Sequence, residues 1–121
     1  AMQLDCIDVW FVDRWDPITP VEDLLLTMDI AVRSGRVRYV GVGNYSGWRL
    51  AQIASLAGTN IPLVASSVEY SLVQRGIERE HLDCAMRMNV GVVPWSPLGR
   101  GVLTGKYRTG VPADSRAASP L

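Results

Sequence analysis

Several kinds of machinery are missing from these 121 residues. No apolar run approaches the ~20 residues that a membrane-spanning helix needs, and no basic-then-apolar opening resembles a signal peptide. Twelve basic residues balance twelve acidic ones, so no electrostatic footprint points to nucleic acid or an anionic membrane. There is one histidine, His81, and the two cysteines, Cys6 and Cys84, stand in no CxxC or metal-ligand spacing. The shortage leaves no support for a metal cluster or a Ser-His-Asp system. The thiols read as reduced structural groups of a cytoplasmic protein. His81 falls among charged residues inside an expected helix, far from any strand end, and is expected to face solvent.

What remains is ordinary globular material, 48% hydrophobic and 20% charged, enough for one domain with a real core. Four short apolar runs stand out: Ile7–Val12, Val37–Val42, Ile61–Val68 and Val90–Trp95. All are rich in valine, isoleucine or aromatics, and none alternates cleanly with polar residues, which suits strands buried on both faces of a parallel sheet.

Helix patterns lie between them. Thr19-Pro20-Val21-Glu22 reads as a capping box, with Thr19 as N-cap, Pro20 at the first helical position and Glu22 reaching back. Leu24, Leu25, Met28, Ala31 and Val32 then make one apolar stripe that Gly35 can stop. Ser46 can cap a second helix carrying Leu50, Ile53, Ala54 and Ala57, ended by Gly58. A third is expected over Glu78–Asn89, with Leu82, Ala85 and Met88 on one side, and a fourth begins around Gly99–Leu103. The order β-α-β-α-β-α-β-α is the signature of parallel α/β architecture. Residues 109–121 turn polar and rich in glycine, proline and serine, and read as a loop or frayed tail.

In such folds ligands bind where strands end and strand-to-helix loops gather. Those ends carry Asp13 and Arg14, Gly43 and Asn44, Ser67, Glu69 and Tyr70, then Trp95 and Ser96. Carboxylates, an amide, hydroxyls and broad aromatics suit a polar ring compound, although polar residues also end strands with no ligand to serve. Two glycine-rich turns, Gly41–Gly47 and Gly99–Gly105, both read GxGxxxG rather than the stricter GxGxxG dinucleotide fingerprint. Either could let a phosphate approach helix N-terminal amides, and Arg100 and Lys106 add positive charge to the second. Glu69 would suit the ribose-binding acid of a Rossmann unit.

Four segments carry a more specific signal: "IDVWFVDRWDPITPVED", "GRVRYVGVGNYSGWRL", "SSVEYSLVQRGIE" and "VGVVPWSPLGRGVLTGKY". Together, in this order and spacing, they resemble the aldo-keto reductases, in the branch that includes the potassium-channel β-subunits. The resemblance implies a (β/α)8 TIM barrel that moves hydride from NADPH to an aldehyde or ketone carbon without a Rossmann fold, which demotes the reading of Glu69. It covers the fourth strand to about the seventh helix, so residues 1–108 are expected to form half of a barrel, four β/α units.

By resemblance, Asn44 holds the nicotinamide carboxamide, with Gly43 where a serine is usual, and Ser67 takes the place of a glutamine that binds the same amide. Trp95 matches the aromatic on which the nicotinamide ring stacks, and Ser96, Pro97, Leu98, Gly99, Arg100 and Gly101 match the loop that wraps the pyrophosphate. The family's tyrosine, lysine and aspartate belong to earlier strands, and Asp13 aligns with its catalytic histidine. A neutral imidazole can donate a hydrogen bond to the carbonyl oxygen. An ionised carboxylate only accepts, and would repel the negative charge that grows there. Asp13 is therefore expected to hold the catalytic position without its activity, and this chain alone to bind NADPH weakly.

A four-stranded half-barrel exposes two sheet edges and an uncovered face. It could be part of a complete reductase for a small carbonyl substrate, a homodimer paired edge to edge, or a relaxed flavodoxin-like open sheet. The dimer is the expectation, and with it a non-catalytic binding or regulatory module as the alternative to an enzyme.

Overall fold

The computed structural model describes residues 4–118, so the outermost residues of the expected half-barrel and of the tail lie outside it. Four strands form one sheet: β1 (Ile7–Asp13), β2 (Val37–Gly43), β3 (Leu63–Glu69) and β4 (Gly91–Trp95). All three pairings are parallel and the spatial order is β1-β2-β3-β4. Consecutive order makes a singly wound arc, consistent with half of a TIM barrel. The flavodoxin-like alternative, which reverses order at its first strand, is thereby overturned. The third strand starts later than its apolar run because Pro62 lacks the N–H a ladder needs, and the Pro62 carbonyl instead accepts from Val40 at 3.0 Å.

Three helices, α1 (Val21–Arg33), α2 (Gly47–Ala57) and α3 (His81–Arg87), pack on one face of the sheet. Met28, Leu50 and Ile53 meet Val40 and Val42 there in a single cluster, and all five are fully buried. Each such side chain withdrawn from water stabilises the fold by about 1.5–3 kcal/mol before chain entropy is counted. The Cys84 thiol donates to the Gly47 carbonyl at 3.2 Å and ties α3 to α2, and burial pushes its pKa up, away from reactivity.

Several local expectations need correction. The capping box does not form: α1 begins at Val21 behind Pro20, with no side-chain cap. Thr19 instead donates to Asp16 Oδ2 at 2.6 Å, and the Ile18 amide donates to Asp16 Oδ1 at 2.9 Å. A nearby carboxylate outcompeted the helix end for the hydroxyl, and those bonds, Thr19's first, lower the Asp16 pKa. Ser46 does sit at the N-cap of α2, though its hydroxyl makes no capping bond, and Gly58 ends that helix at φ 54°.

The third helix is shorter than expected. A 3-10 turn, Gly76–Arg79, precedes it, and Glu80 breaks the path at φ −147°, ψ −47°. That break moves His81 to the start of α3, one turn before Ala85 and on the same inward face, so the histidine is 4% exposed rather than solvent-facing. The fourth helix is reduced to 3-10 turns over Gly99–Thr104, interrupted by left-handed Arg100 and Gly101.

Candidate functional site

The opposite face of the sheet carries no helix. Register places Asp13, Gly43, Ser67 and Val93 side by side across all four strands, with Phe11, Gly41, Ala65 and Gly91 in the row below. Glu69 and Trp95 pair one row above. Alternation sends these side chains away from the helices.

Glycines on β2 make room for bulk on β1. A Cβ on Gly41 would lie 2.5 Å from the Phe11 ring, and one on Gly43 would lie 2.6 Å from Asp13 Oδ1. Past the strand ends the chain turns through left-handed residues, Arg14 (φ 66°), Asn44 (φ 59°) and Ser96 (φ 53°). Asparagine tolerates that region better than arginine or serine does. The Asn44 amide N–H donates to the Ser67 carbonyl at 2.8 Å, which fixes the turn over the sheet.

These constraints bring distant residues together. Asn44 Nδ2 donates to Asp13 Oδ1 at 2.9 Å, and Trp95 Nε1 donates to Asn44 Oδ1 at 3.0 Å. A cleft of about 490 Å³ is lined by Phe11, Asp13, Gly43, Asn44, Ser67 and Trp95. Five of the residues expected from the sequence thus share one surface, and Phe11 joins them. Its inward alternation with Asp13 was the available signal for it.

The remaining expected residues divide. Gly99 and Arg100 line a second cleft, about 340 Å³, with Val102, Tyr107, Arg116 and Ala117 among its walls. Pro97 lines a third beside Tyr70 and Arg75. Ser96, Leu98 and Gly101 shape the loop between: the Ser96 carbonyl accepts from the Gly99 amide at 2.8 Å, and that of Leu98 from Gly101 at 3.1 Å. Arg100 Nη2 stands 3.6 Å from Glu69 Oε1, and its guanidinium carbon lies 5.9 Å from the Trp95 ring centre. Glu69 therefore has a protein partner.

His81 lines none of these clefts. Its Nε2 lies 3.1 Å from Ser66 Oγ on the helix-facing side of β3, while Nδ1 is buried without a hydrogen-bond partner in good geometry. Burial lowers its pKa, only partly offset by the Tyr45 backbone and the Glu80 charge.

Comparisons with known proteins place the chain in a family. The model of the aldo/keto reductase family matches residues 1–120. This chain belongs to the aldo/keto reductase family. The L-glyceraldehyde 3-phosphate reductases of Escherichia coli K12 and of Escherichia coli O157:H7 are each 36% identical to it over 117 residues, 95% of this chain. The match takes in 34% of either relative, so this aldo/keto reductase chain spans about a third of their length.

Within that family, the cleft residues fit a ring bearing a carboxamide. Asn44 offers both a donor and an acceptor, Ser67 adds a hydroxyl, and the indole of Trp95 gives a flat wall. The second cleft, with the guanidinium groups of Arg100 and Arg116, suits an anion.

Proposed function

We propose that this chain is the cofactor-holding part of an NADPH-dependent oxidoreductase that acts on aldehydes or ketones. The observation that carries this reading is the convergence of Asp13, Asn44, Ser67 and Trp95 on one cleft at the ends of parallel strands. Family membership and the reductase names of its relatives support it.

In this reading Asn44 and Ser67 hold the carboxamide, Trp95 lies along the ring, and the Ser96–Gly101 loop with Arg100 receives the phosphates. NADPH, when bound, supplies the hydride. Asp13 then faces the reacting carbonyl with a group that accepts hydrogen bonds and opposes the developing oxyanion. Titration of the purified chain with NADPH, followed by tryptophan fluorescence, is expected to show weak saturable binding. Addition of an aromatic aldehyde is expected to leave NADPH unoxidised. Robust oxidation would overturn the argument about Asp13, and no saturable binding would overturn the cofactor assignment.

A second reading is favoured by the helix-free face, where Val9, Tyr39 and Val93 are 38%, 47% and 46% exposed. Such a face, bounded by edge strands β1 and β4, suits a binding module that pairs with a second copy. Sedimentation at micromolar concentration tests it, and a monomer would count against it.

A further inference from the structure

The charge around the strand-end cleft is one-sided. Its lining is two aromatic rings, an amide, a hydroxyl, a glycine and the carboxylate of Asp13, with no basic side chain. Among the described residues no ion pair engages Asp13. Arg100, the strand-end cation beside Trp95, faces Glu69 at 3.6 Å. Arg14 lines a separate cleft with Trp15, Asp16 and Tyr45, which Asp13 also borders. One oxygen of Asp13 accepts from Asn44, which itself accepts from Trp95, so the carboxylate is held in place across three strand ends. Gly43 allows this posture, because a side chain there would collide with that same oxygen.

We infer that this cleft selects a flat, positively charged ring over neutral or anionic rings of the same shape, with Asp13 as the residue that sets the selection. An aromatic wall beside a carboxylate that has no ion-pair partner attracts a delocalised cation by both ring quadrupole and charge. The inference rests on the cofactor reading above and deepens it: the preferred form of the nicotinamide is the oxidised pyridinium, not the neutral dihydropyridine. The same electrostatics make Asp13 unhelpful toward a growing oxyanion and useful toward a ring cation.

Three small probes isolate the ring from the phosphates: 1-methylnicotinamide (cationic), nicotinamide (neutral) and nicotinate (anionic). Each is titrated into the full chain while the indole N–H resonance of Trp95, assigned with Trp95→Phe, reports the Asn44 contact. The cation is expected to bind roughly fivefold more tightly than the neutral amide at low salt, and nicotinate more weakly than either. Asp13→Asn keeps an acceptor for Asn44 and removes the charge, so the gap between cation and amide should shrink to within about twofold. Neutral binding as tight as cationic, a gap that survives Asp13→Asn, or no response to any probe would each overturn the inference. NADPH binding alongside a flat charge series would discard the ring selectivity while leaving the cofactor reading intact.

Discussion

One sheet presents two unlike faces. On the helix side Val40, Val42 and Ser66 are fully buried beneath Met28, Leu50 and Ile53, and the Arg49 guanidinium stacks on Trp15 at the edge of that cluster. On the other side Val9, Tyr39 and Val93 lie open, and the polar residues gather at one end of the strands. The strands supply similar apolar residues to both. The difference lies in what covers them, so stability and recognition are separated across the thickness of a single backbone layer. The closed face holds the arc together, while the open face keeps its chemistry at the strand ends.

The largest test of this contrast is truncation on each side. Leu50→Ala leaves a cavity among fully buried neighbours and is expected to destabilise the chain by about 2–5 kcal/mol in urea unfolding. Val93→Ala on the open face should change stability by less than about 1 kcal/mol. If Val93→Ala proves as damaging as Leu50→Ala, the open face is covered in solution, and the self-association reading gains the argument it needs.

A smaller effect probes the seam where the open face becomes a site. Gly43→Ala places a methyl 2.6 Å from Asp13 Oδ1 and 3.3 Å from Asp13 Cα. The carboxylate can swing away only by releasing Asn44, so overpacking of about 1–3 kcal/mol is expected. On an Asp13→Ala background most of that penalty should vanish, since the colliding oxygen is gone. Additive effects in the double variant would show that Asp13 and Gly43 are not coupled.

Much of this was legible in the sequence, for a physical reason. Strands apolar on both faces announce a parallel sheet, and parallel connection forces the loops that follow the strands to one end. Asp13, Asn44, Ser67 and Trp95 could therefore be placed near one another before any distance was known. The pairing among them was not legible. Asn44 bonds partners 31 and 51 residues away, and only register decides which side chains meet. Local competition also defeated pattern: Asp16 took the Thr19 hydroxyl that a capping box requires. The stack of Arg49 over Trp15 and Trp48, at 4.6 and 5.2 Å, was not legible either, because it joins the first turn of α2 to a residue of the loop after β1 more than thirty positions earlier.

His81 offers the subtlest probe of the closed face, because it is the polar group that face admits in its neutral form. An unfolded chain titrates a histidine near pH 6.5, whereas burial lowers the value in the fold. Between those two values the unfolded state binds a proton that the folded state refuses, so stability should fall as pH drops below about 6.5. Above that value the ring is neutral in both states and contributes no slope. The carboxylates of Asp16 and Glu78, whose pKa values are lowered by hydrogen bonds, lose their contribution only in more acidic solution. Urea unfolding at about pH 7.5 and about pH 5.5 therefore isolates the histidine. His81→Gln keeps a partner for Ser66 and cannot titrate, so it should show a smaller loss between the two pH values than the parent chain. Equal losses would mean that water reaches the ring and that the closed face is less dry than its packing implies.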